Sequence, residues 1–321
     1  MDLFIAIDSG GTKTEAILAR ADGTIVRRVC GKGCNPMDVG VKATQTIVCD
    51  ITAQLLEAAD GPVISLYAGI AGANRTDTGL NELLARRFPI PRIRVEDDMR
   101  IVVSATLGHQ DGCGLICGTG CSLSLIKGQW PYEQIGGLGY LIDTGGSGYE
   151  LGRQALMHTY RYLDGRGPYT ILAETIPQRT GKDMKAGFAD IYAGGRPYIA
   201  SFAGLVFEGA EQGDAICQQI LEKGSDDLAE LTWAAEKHFE GEFPIVMSGG
   251  IFNHFPHYAD MVRRKSTPRA KMIYAKSPPV YGSLVEACHQ CGIELTDEVW
   301  GRFMKQYIDE LKKPRERTAY A

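Results

Sequence analysis

Ile7-Asp-Ser-Gly-Gly-Thr-Lys-Thr14, the stretch IDSGGTKT, decides the fold. It closes a fully apolar run, Leu3 to Ile7, that has the length and character of a buried strand, so Asp8 stands at the carboxyl edge of a sheet. Lys13 to Ala19 resumes strand character, Asp22-Gly23 supplies a hairpin turn that needs positive φ, and Thr24 to Cys30 is rich in strand formers again. The stretch is therefore the first turn of a three-stranded meander. A Walker A loop spells GxxxxGK[ST] and runs into a helix, whereas a strand follows here. IDSGGTKT also sets a carboxylate, two glycines whose backbone N–H groups can approach an anion, and hydroxyl or cationic donors side by side. Phosphate is the anion that uses all three. The plainer reading is a hairpin turn whose glycines supply only positive φ.

Outward from the meander, Val39 to Ala58 has helical spacing, Val63 to Ala68 is a strand ahead of GIAGANR, and Thr78 to Phe88 is a helix. Arg92 to Glu96 then reads as strand and Asp98 to Leu107 as helix, which gives the order βββαβαβα. The pattern restarts with Leu115 to Cys117, the turn Gly118-Thr119-Gly120, Cys121 to Ile126, the turn Lys127-Gly128 and Tyr132 to Ile135. Internal duplication is the economical account. CGTGCS repeats the geometry of the first loop, and two such loops in duplicated halves are expected to clasp phosphates from opposite sides. Gly146 to Asp164 and Ser225 to Phe239 read as helices, Pro244 to Met247 and Lys271 to Ala275 as strands, and Asp297 to Lys313 as a helix with a basic last turn. VMSGGIFNHF, a third glycine element between strand and helix, could receive an adenosine on flat glycine backbone or be an ordinary connecting turn.

With 321 residues, 44% of them hydrophobic, the chain can form two cores at about 150 residues per domain. A net charge of −5 and only short basic clusters, at Arg263 to Lys265 and at Lys312, Lys313 and Arg315, argue against a nucleic-acid partner. MDLFIAID runs straight into a strand without the charged and apolar regions of a leader, and nothing approaches the ~18 apolar residues of a membrane span. A cytoplasmic location is expected, and nine cysteines without framework spacing suit a reducing compartment. Cys113, Cys117 and Cys121 recur every four residues, but CGLICGTGCSLSL reads as strand, turn, strand rather than one helix face. Cys288 and Cys291 form a lone CxxC, and His254 and His257 two isolated ligands, so no metal centre is expected from them.

Glu96-Asp97-Asp98 places three carboxylates at the end of a strand, where like charges raise one another's proton affinity. Phosphoryl transfer to a hydroxyl needs such a group to orient the nucleophile and accept its proton. Asp97 could instead be a helix N-cap, and Asp98 could cap the same helix and leave Asp97 free.

The set IDSGGTKTEAIL, GIAGANR, VEDDMRIVVSATLG, ICGTGCSL, GGLGYLIDTGGSGYELGRQAL, FEGAEQGD, VMSGGIF and PPVYGS resembles the BadF/BadG/BcrA/BcrD-type ATPase family in its N-acetylglucosamine kinase branch, across residues 2 to about 290. The resemblance implies an α/β fold of duplicated ribonuclease-H-like (actin- or hexokinase-like) domains, each a mixed five-stranded sheet flanked by helices, with a nucleotide cleft between them. Residues 1–110 would form one domain, joined by the C-terminal helix 296–314, and residues 111–295 the other. It implies MgATP as phosphoryl donor, with Asp8 holding Mg2+ through water. The phosphate contacts would come from Gly10, Gly11, Thr12 and Lys13, and from Gly118, Thr119 and Gly120. Gly249 and Gly250 would meet the adenosine, and Ala200 would lie on the nucleotide side. On the acceptor side it implies Asn35 for sugar hydroxyls, Asp97 as the base, and Cys121, Ser122 and the Gly137-Leu138-Gly139 backbone as further contacts.

Two departures qualify the match. Cys121 stands where serine is usual, and LIDTGGSGYELG replaces the branch's GDEGS, so Thr144 takes the place of a sugar-gripping aspartate while Asp143 sits one residue earlier. The acceptor implied is an amino sugar, N-acetylglucosamine or a relative such as glucosamine or N-acetylmuramic acid, phosphorylated at O6, and the resemblance leaves room for a homodimer. The same family also holds activator ATPases that drive electron transfer through a shared iron–sulfur cluster, usually with a DxGGQ-type second loop where this chain has GTGCS. A sugar or nucleotide sensor would usually carry an added DNA-binding domain, and the first strand here begins at residue 3.

Overall fold

The computed structural model describes residues 1–128, 133–143 and 145–312. The chain divides into two units, Met1–Asp111 with the segment from Ala275 onward, and Gly112–Tyr274. The first unit opens with β1 (Leu3–Ser9), β2 (Lys13–Arg20) and β3 (Ile25–Lys32). It continues through α1 (Pro36–Val39), α2 (Val41–Leu56), β4 (Val63–Ile70), α3 (Leu80–Arg87), β5 (Arg92–Glu96) and α4 (Asp98–Leu107). The sheet order is β3-β2-β1-β4-β5, with the meander antiparallel and β4 and β5 parallel to β1.

The second unit repeats this plan. Strands β6 (Gly112–Cys117), β7 (Cys121–Ile126) and β8 (Glu133–Ile135) form its meander, and β9 (Phe243–Ser248) and β10 (Ala270–Tyr274) lie parallel on the other side of β6. Its order, β8-β7-β6-β9-β10, is that of the first sheet element for element. The helices are α5 (Gly148–Leu163), α6 (Leu172–Thr180), α7 (Phe188–Ala200), α8 (Ala203–Glu211), α9 (Ala215–Glu236), α10 (Gly250–His254) and α11 (Pro256–Lys265). The duplicated, mixed five-stranded α/β fold read from the sequence is thus the observed one. Helices α12 (Pro279–His289) and α13 (Asp297–Lys312) complete the first unit.

The central strand explains why the first unit has two cores. Side chains alternate across a strand, so Leu3, Ile5 and Ile7 enter one cluster with Val48, Leu55 and Leu84, while Phe4 and Ala6 enter another with Ile101, Tyr281, Leu284 and Phe303. Both faces of β1 are therefore covered, which is why the run is continuously apolar. In the second unit Leu115, Cys117 and Leu123 pack with Leu151, Phe207 and Tyr258.

The boundaries differ from expectation in three places. The chain returns to the first unit at Ala275, not at residue 296, because α12 packs on β1 and α4, with the Ser283 hydroxyl donating to the Ile7 carbonyl at 2.7 Å. The helix expected from Val39 to Ala58 is broken at Gly40, which sits at φ 83°. Helix α9 begins ten residues before Ser225, because Asp214 caps it by accepting from the Cys217 N–H at 2.8 Å. The first unit also carries α13, where Gln306 Oε1 accepts from the Ile25 N–H at 2.8 Å, and Lys313 lies outside the described residues. Gly23 lies at φ 87°, as the hairpin turn requires, and a β-carbon there would stand 2.5 Å from the Val299 carbonyl oxygen. Among the described residues no helix is long and apolar enough to cross a membrane.

Candidate functional site

The first loop is closed by the Gly10 N–H donating to the Lys13 carbonyl at 3.0 Å. Neither Gly10 nor Gly11 occupies the left-handed region, so the turn does not need them for positive φ. Close approach explains one of them better. A β-carbon on Gly33 would lie 2.4 Å from the Gly11 carbonyl group, and one on Gly11 would lie 3.3 Å from Asp38 Oδ2. Beneath the loop runs a buried chain of polar groups. Thr14 donates to the Lys32 carbonyl at 2.7 Å and so accepts from the Ser9 hydroxyl, also at 2.7 Å. Ser9 Oγ in turn accepts from the Cys34 N–H at 3.1 Å and lies 2.9 Å from Cys34 Sγ. Burial pushes the Cys34 thiol up, although Ser9 and Thr14 oppose this, so it is a protonated donor at the head of the chain. A fully satisfied network of this kind rigidifies the loop above it. Thr12 and Lys13 stay exposed at the loop tip.

Beside the loop stand three carboxylates. Burial raises Asp8 to about 7, with Lys13 opposing and Glu15 adding to the rise. Asp98 is held well above the usual carboxylate range by burial first, then by the charges of Asp97 and Asp8 and a hydrogen bond with Asp97. Asp97 is the N-cap of α4, its Oδ1 accepting from the Met99 N–H at 3.3 Å, while Oδ2 accepts from the Gly72 N–H at 3.1 Å. The capping alternative therefore holds for Asp97, and Asp98 does not relieve it of that task. Glu96 is occupied by the Tyr67 hydroxyl at 2.6 Å and by Arg94.

Gly72, unremarked within GIAGANR, joins the two acceptor-side candidates of this unit. It donates to Asp97, and at φ 80° a β-carbon on it would stand 2.7 Å from Asn35 Oδ1. Asn35 itself caps α1, accepting from the Met37 N–H at 2.9 Å. Asp38, at the edge of Gly11, was likewise not singled out by the sequence. Low-dielectric surroundings disfavour so many anions together, and a hard cation with oxygen ligands is what relieves them. Asp8 could supply one oxygen to such a cation, but among the described residues no group of three or more His, Cys, Asp or Glu side chains is placed to hold a metal ion by itself.

In the second unit the Gly118 N–H donates to the Gly120 carbonyl at 2.8 Å. The carbonyls of Gly118 and Thr119 accept from Gly148 and Tyr149 at 2.8 and 3.0 Å, so the loop is tied to the start of α5. Gly249, at φ 110°, presses on the end of β6, where a β-carbon would fall 2.3 Å from the Cys117 carbonyl oxygen. A β-carbon on Gly118 would lie 4.0 Å from the Gly250 nitrogen, so the second and third glycine elements are neighbours. Ala200 ends α7 against Gly152 of α5.

Cys121, Ser122 and Gly137 also come together, a β-carbon on Gly137 lying 2.6 Å from Ser122 Cβ and 3.0 Å from the Cys121 carbonyl. Asp143 closes the turn after them, its N–H donating to the Gly139 carbonyl at 2.9 Å and its Oδ2 lying beside Gly136. Leu138 points outward, 67% exposed, and Thr144 lies outside the described residues. The Cys121 thiol donates to the Gly145 carbonyl at 2.9 Å and is pushed up to about 12 by burial, with Asp143, Asp227 and Glu150 adding to the rise.

A duplicated mixed five-stranded sheet with a glycine loop after the first strand of each copy, and a half-buried carboxylate, Asp8, beside one of them, has an actin-like fold. The chain belongs to the BadF/BadG/BcrA/BcrD ATPase family, whose model matches residues 5–287. Over 320 residues it is 26% identical to an N-acetyl-D-glucosamine kinase of Dictyostelium discoideum, covering 89% of this chain and 98% of that one. It is 24% identical to an N-acetylmuramic acid/N-acetylglucosamine kinase of Clostridium acetobutylicum, over 91% of this chain and 100% of the other. Its fold is that of a solved Streptomyces griseus ROK family glucokinase in complex with glucose and AMPPNP, at TM-score 0.53 and 19% identity over 89% of this chain and 98% of that one. A Chromobacterium violaceum protein provisionally described as an N-acetylglucosamine kinase superposes at TM-score 0.69 with 22% identity, covering 88% of this chain and 98% of the other.

Proposed function

We propose that the chain is an ATP-dependent kinase that transfers the γ-phosphoryl group to O6 of an amino sugar, N-acetylglucosamine or a relative such as glucosamine or N-acetylmuramic acid. The observation that carries this reading is the Asn35–Gly72–Asp97 cluster at the carboxyl edge of the first sheet. A carboxylate oriented by two backbone N–H groups beside a fixed amide is what a hydroxyl nucleophile needs. The family and the names of the curated relatives support it.

Asn35 positions the sugar and Asp97 accepts the proton of the attacking hydroxyl. Gly11 to Lys13 in one unit, and Thr119 and Gly120 in the other, offer N–H, hydroxyl and ammonium donors to phosphate oxygens, while the Gly10 and Gly118 N–H groups hold their loops closed. Mg2+, held by Asp8, would neutralise the charge that develops on the transferring group. Cys121, Ser122, Gly137 to Gly139 and Asp143 line the acceptor side of the second unit, and Gly249, Gly250 and Ala200 the nucleoside side.

A coupled ADP-release screen across hexoses, hexosamines, N-acetylhexosamines and muramic sugars tests the activity. Asp97→Asn is expected to keep MgATP binding and lose about 10²- to 10⁴-fold in turnover, the usual size of a general-base contribution. Wild-type-like turnover in that variant would remove Asp97 from the role, and no stimulation by any sugar would leave an ATPase alone.

A further inference from the structure

Arg196 was not singled out by the sequence; it is exposed, but it stands against two features the sequence did single out. Helix α7 is interrupted just before it by Gly195, at φ 55° and ψ −149°. The guanidinium lies 5.0 Å from the centre of the Tyr140 ring, and its Nη2 would be 3.5 Å from a β-carbon on Gly120. Arg196 therefore stands at the second glycine loop and directly beyond the Gly137-Leu138-Gly139 turn. Among the described residues it has no hydrogen-bonded or ion-paired partner.

It also borders a cavity of about 450 Å3 lined by Tyr140, Tyr149, Tyr160, Phe188 and Tyr192, with aliphatic side chains between them. Among the described residues two arginines and no carboxylate line this space, and Arg153 is already held by Glu150 through two contacts of 2.8 Å. In a chain of net charge −5, this space thus presents one exposed arginine with no carboxylate partner among the described residues, beside an aromatic wall. Arginine stacked on a ring keeps its donor fork free for a carboxylate or phosphate, and an aromatic cavity of this size takes an organic body.

We propose that the cavity is a subsite for an acidic arm on the acceptor sugar. Arg196 grips a carboxylate carried by a short apolar substituent, Tyr140 and Tyr149 pack against that substituent, and the ring lies at the Gly137 to Gly139 turn. The inference rests on the amino-sugar kinase reading and narrows its substrate to a sugar acid over the neutral parent.

The test compares N-acetylmuramic acid, which carries a lactyl carboxylate, with N-acetylglucosamine in wild type, Arg196→Ala and Arg196→Lys, by initial rates and by calorimetric binding. Wild type is expected to favour the acid. In Arg196→Ala the ratio of kcat/KM for the acid over the neutral sugar should fall about 10- to 100-fold, as for loss of a charge-assisted hydrogen bond, and Arg196→Lys should recover part of it. An unchanged ratio, or a loss that falls on ATP affinity instead, overturns the subsite. A wild-type chain that binds the acid through Arg196 but phosphorylates no sugar leaves the subsite standing and removes the kinase reading. Failure to bind the acid at all removes the subsite.

Discussion

At the scale of single residues, Gly72 is the position on which the acceptor cluster turns. It adopts φ 80°, which side chains other than glycine resist, and the space its β-carbon would fill is 2.7 Å from Asn35 Oδ1. Gly72→Ala should therefore displace the Asn35 amide and weaken the bond to Asp97. The expected result is at least a ~10-fold rise in the KM for sugar, as when a substrate-positioning hydrogen bond is lost, with MgATP binding retained. Calorimetry with each ligand separates the two effects, and equal losses for sugar and nucleotide would mean that the loop as a whole has moved. The sequence places EDD at a strand end correctly, yet it cannot say which carboxylate is free. Glu96 is claimed by Tyr67 from the neighbouring strand and Asp97 by Gly72, contacts 29 and 25 residues away in the chain. Arg196 was illegible for a similar reason, since its meaning comes from Gly120 and Tyr140 rather than from its own neighbours.

At the scale of elements, the crossing of α12 and α4 sets where the acid cluster stands, because α4 begins at its cap, Asp97. The two helices approach so closely that a β-carbon on Gly282 would fall 1.8 Å from the Ile101 carbonyl oxygen and 2.8 Å from the Ala105 nitrogen. Backbone cannot yield as a flexible side chain can. Gly282→Ala should therefore cost at least the ~1–3 kcal/mol typical of overpacking, read as a lower midpoint in urea, and should lower turnover through the displaced start of α4. Gly301→Ala, on α13 with open space around it, is the control expected to stay near wild type. The strands were read to within a few residues, because β1 is buried and apolar from Leu3 to Ile7 and its copy β6 is buried at every position but Ile116. Helices α6, α7 and α8 were not read at all. Pro177 lies inside α6, and Gly195 and Pro197 inside α7, so helical periodicity there is interrupted by residues that signal loops.

At the scale of the whole molecule, duplication was legible because it repeats as a pattern, whereas the return of the chain at Ala275 was not. PPVYGS looks like any helix start, and only its packing against Ile101 and β1 assigns it to the first unit. That assignment brings a buried charge with it. Glu286 on α12 accepts from Arg100 Nε at 2.9 Å and from the Ser104 hydroxyl, and its other oxygen lies 2.8 Å from His109 Nδ1. Arg100, Ser104 and Glu286 are all buried. Burial pushes the Glu286 carboxyl up, but His109, Arg100 and Ser104 together outweigh it and hold the group below its ordinary value. A depressed carboxylate contributes stability that is present in full above the unfolded value of about 4.3 and is lost as pH falls through the lower native value. Glu286→Ala leaves Arg100 buried without its carboxylate, which should cost about 3–5 kcal/mol near neutrality. The same variant should lose less stability than wild type as pH falls below about 5, because the proton that wild type must take up on unfolding no longer has a site. Urea midpoints measured across that range check both statements, and parallel acid limbs for the two proteins would show that the depression of Glu286 does not govern the acid stability of this unit.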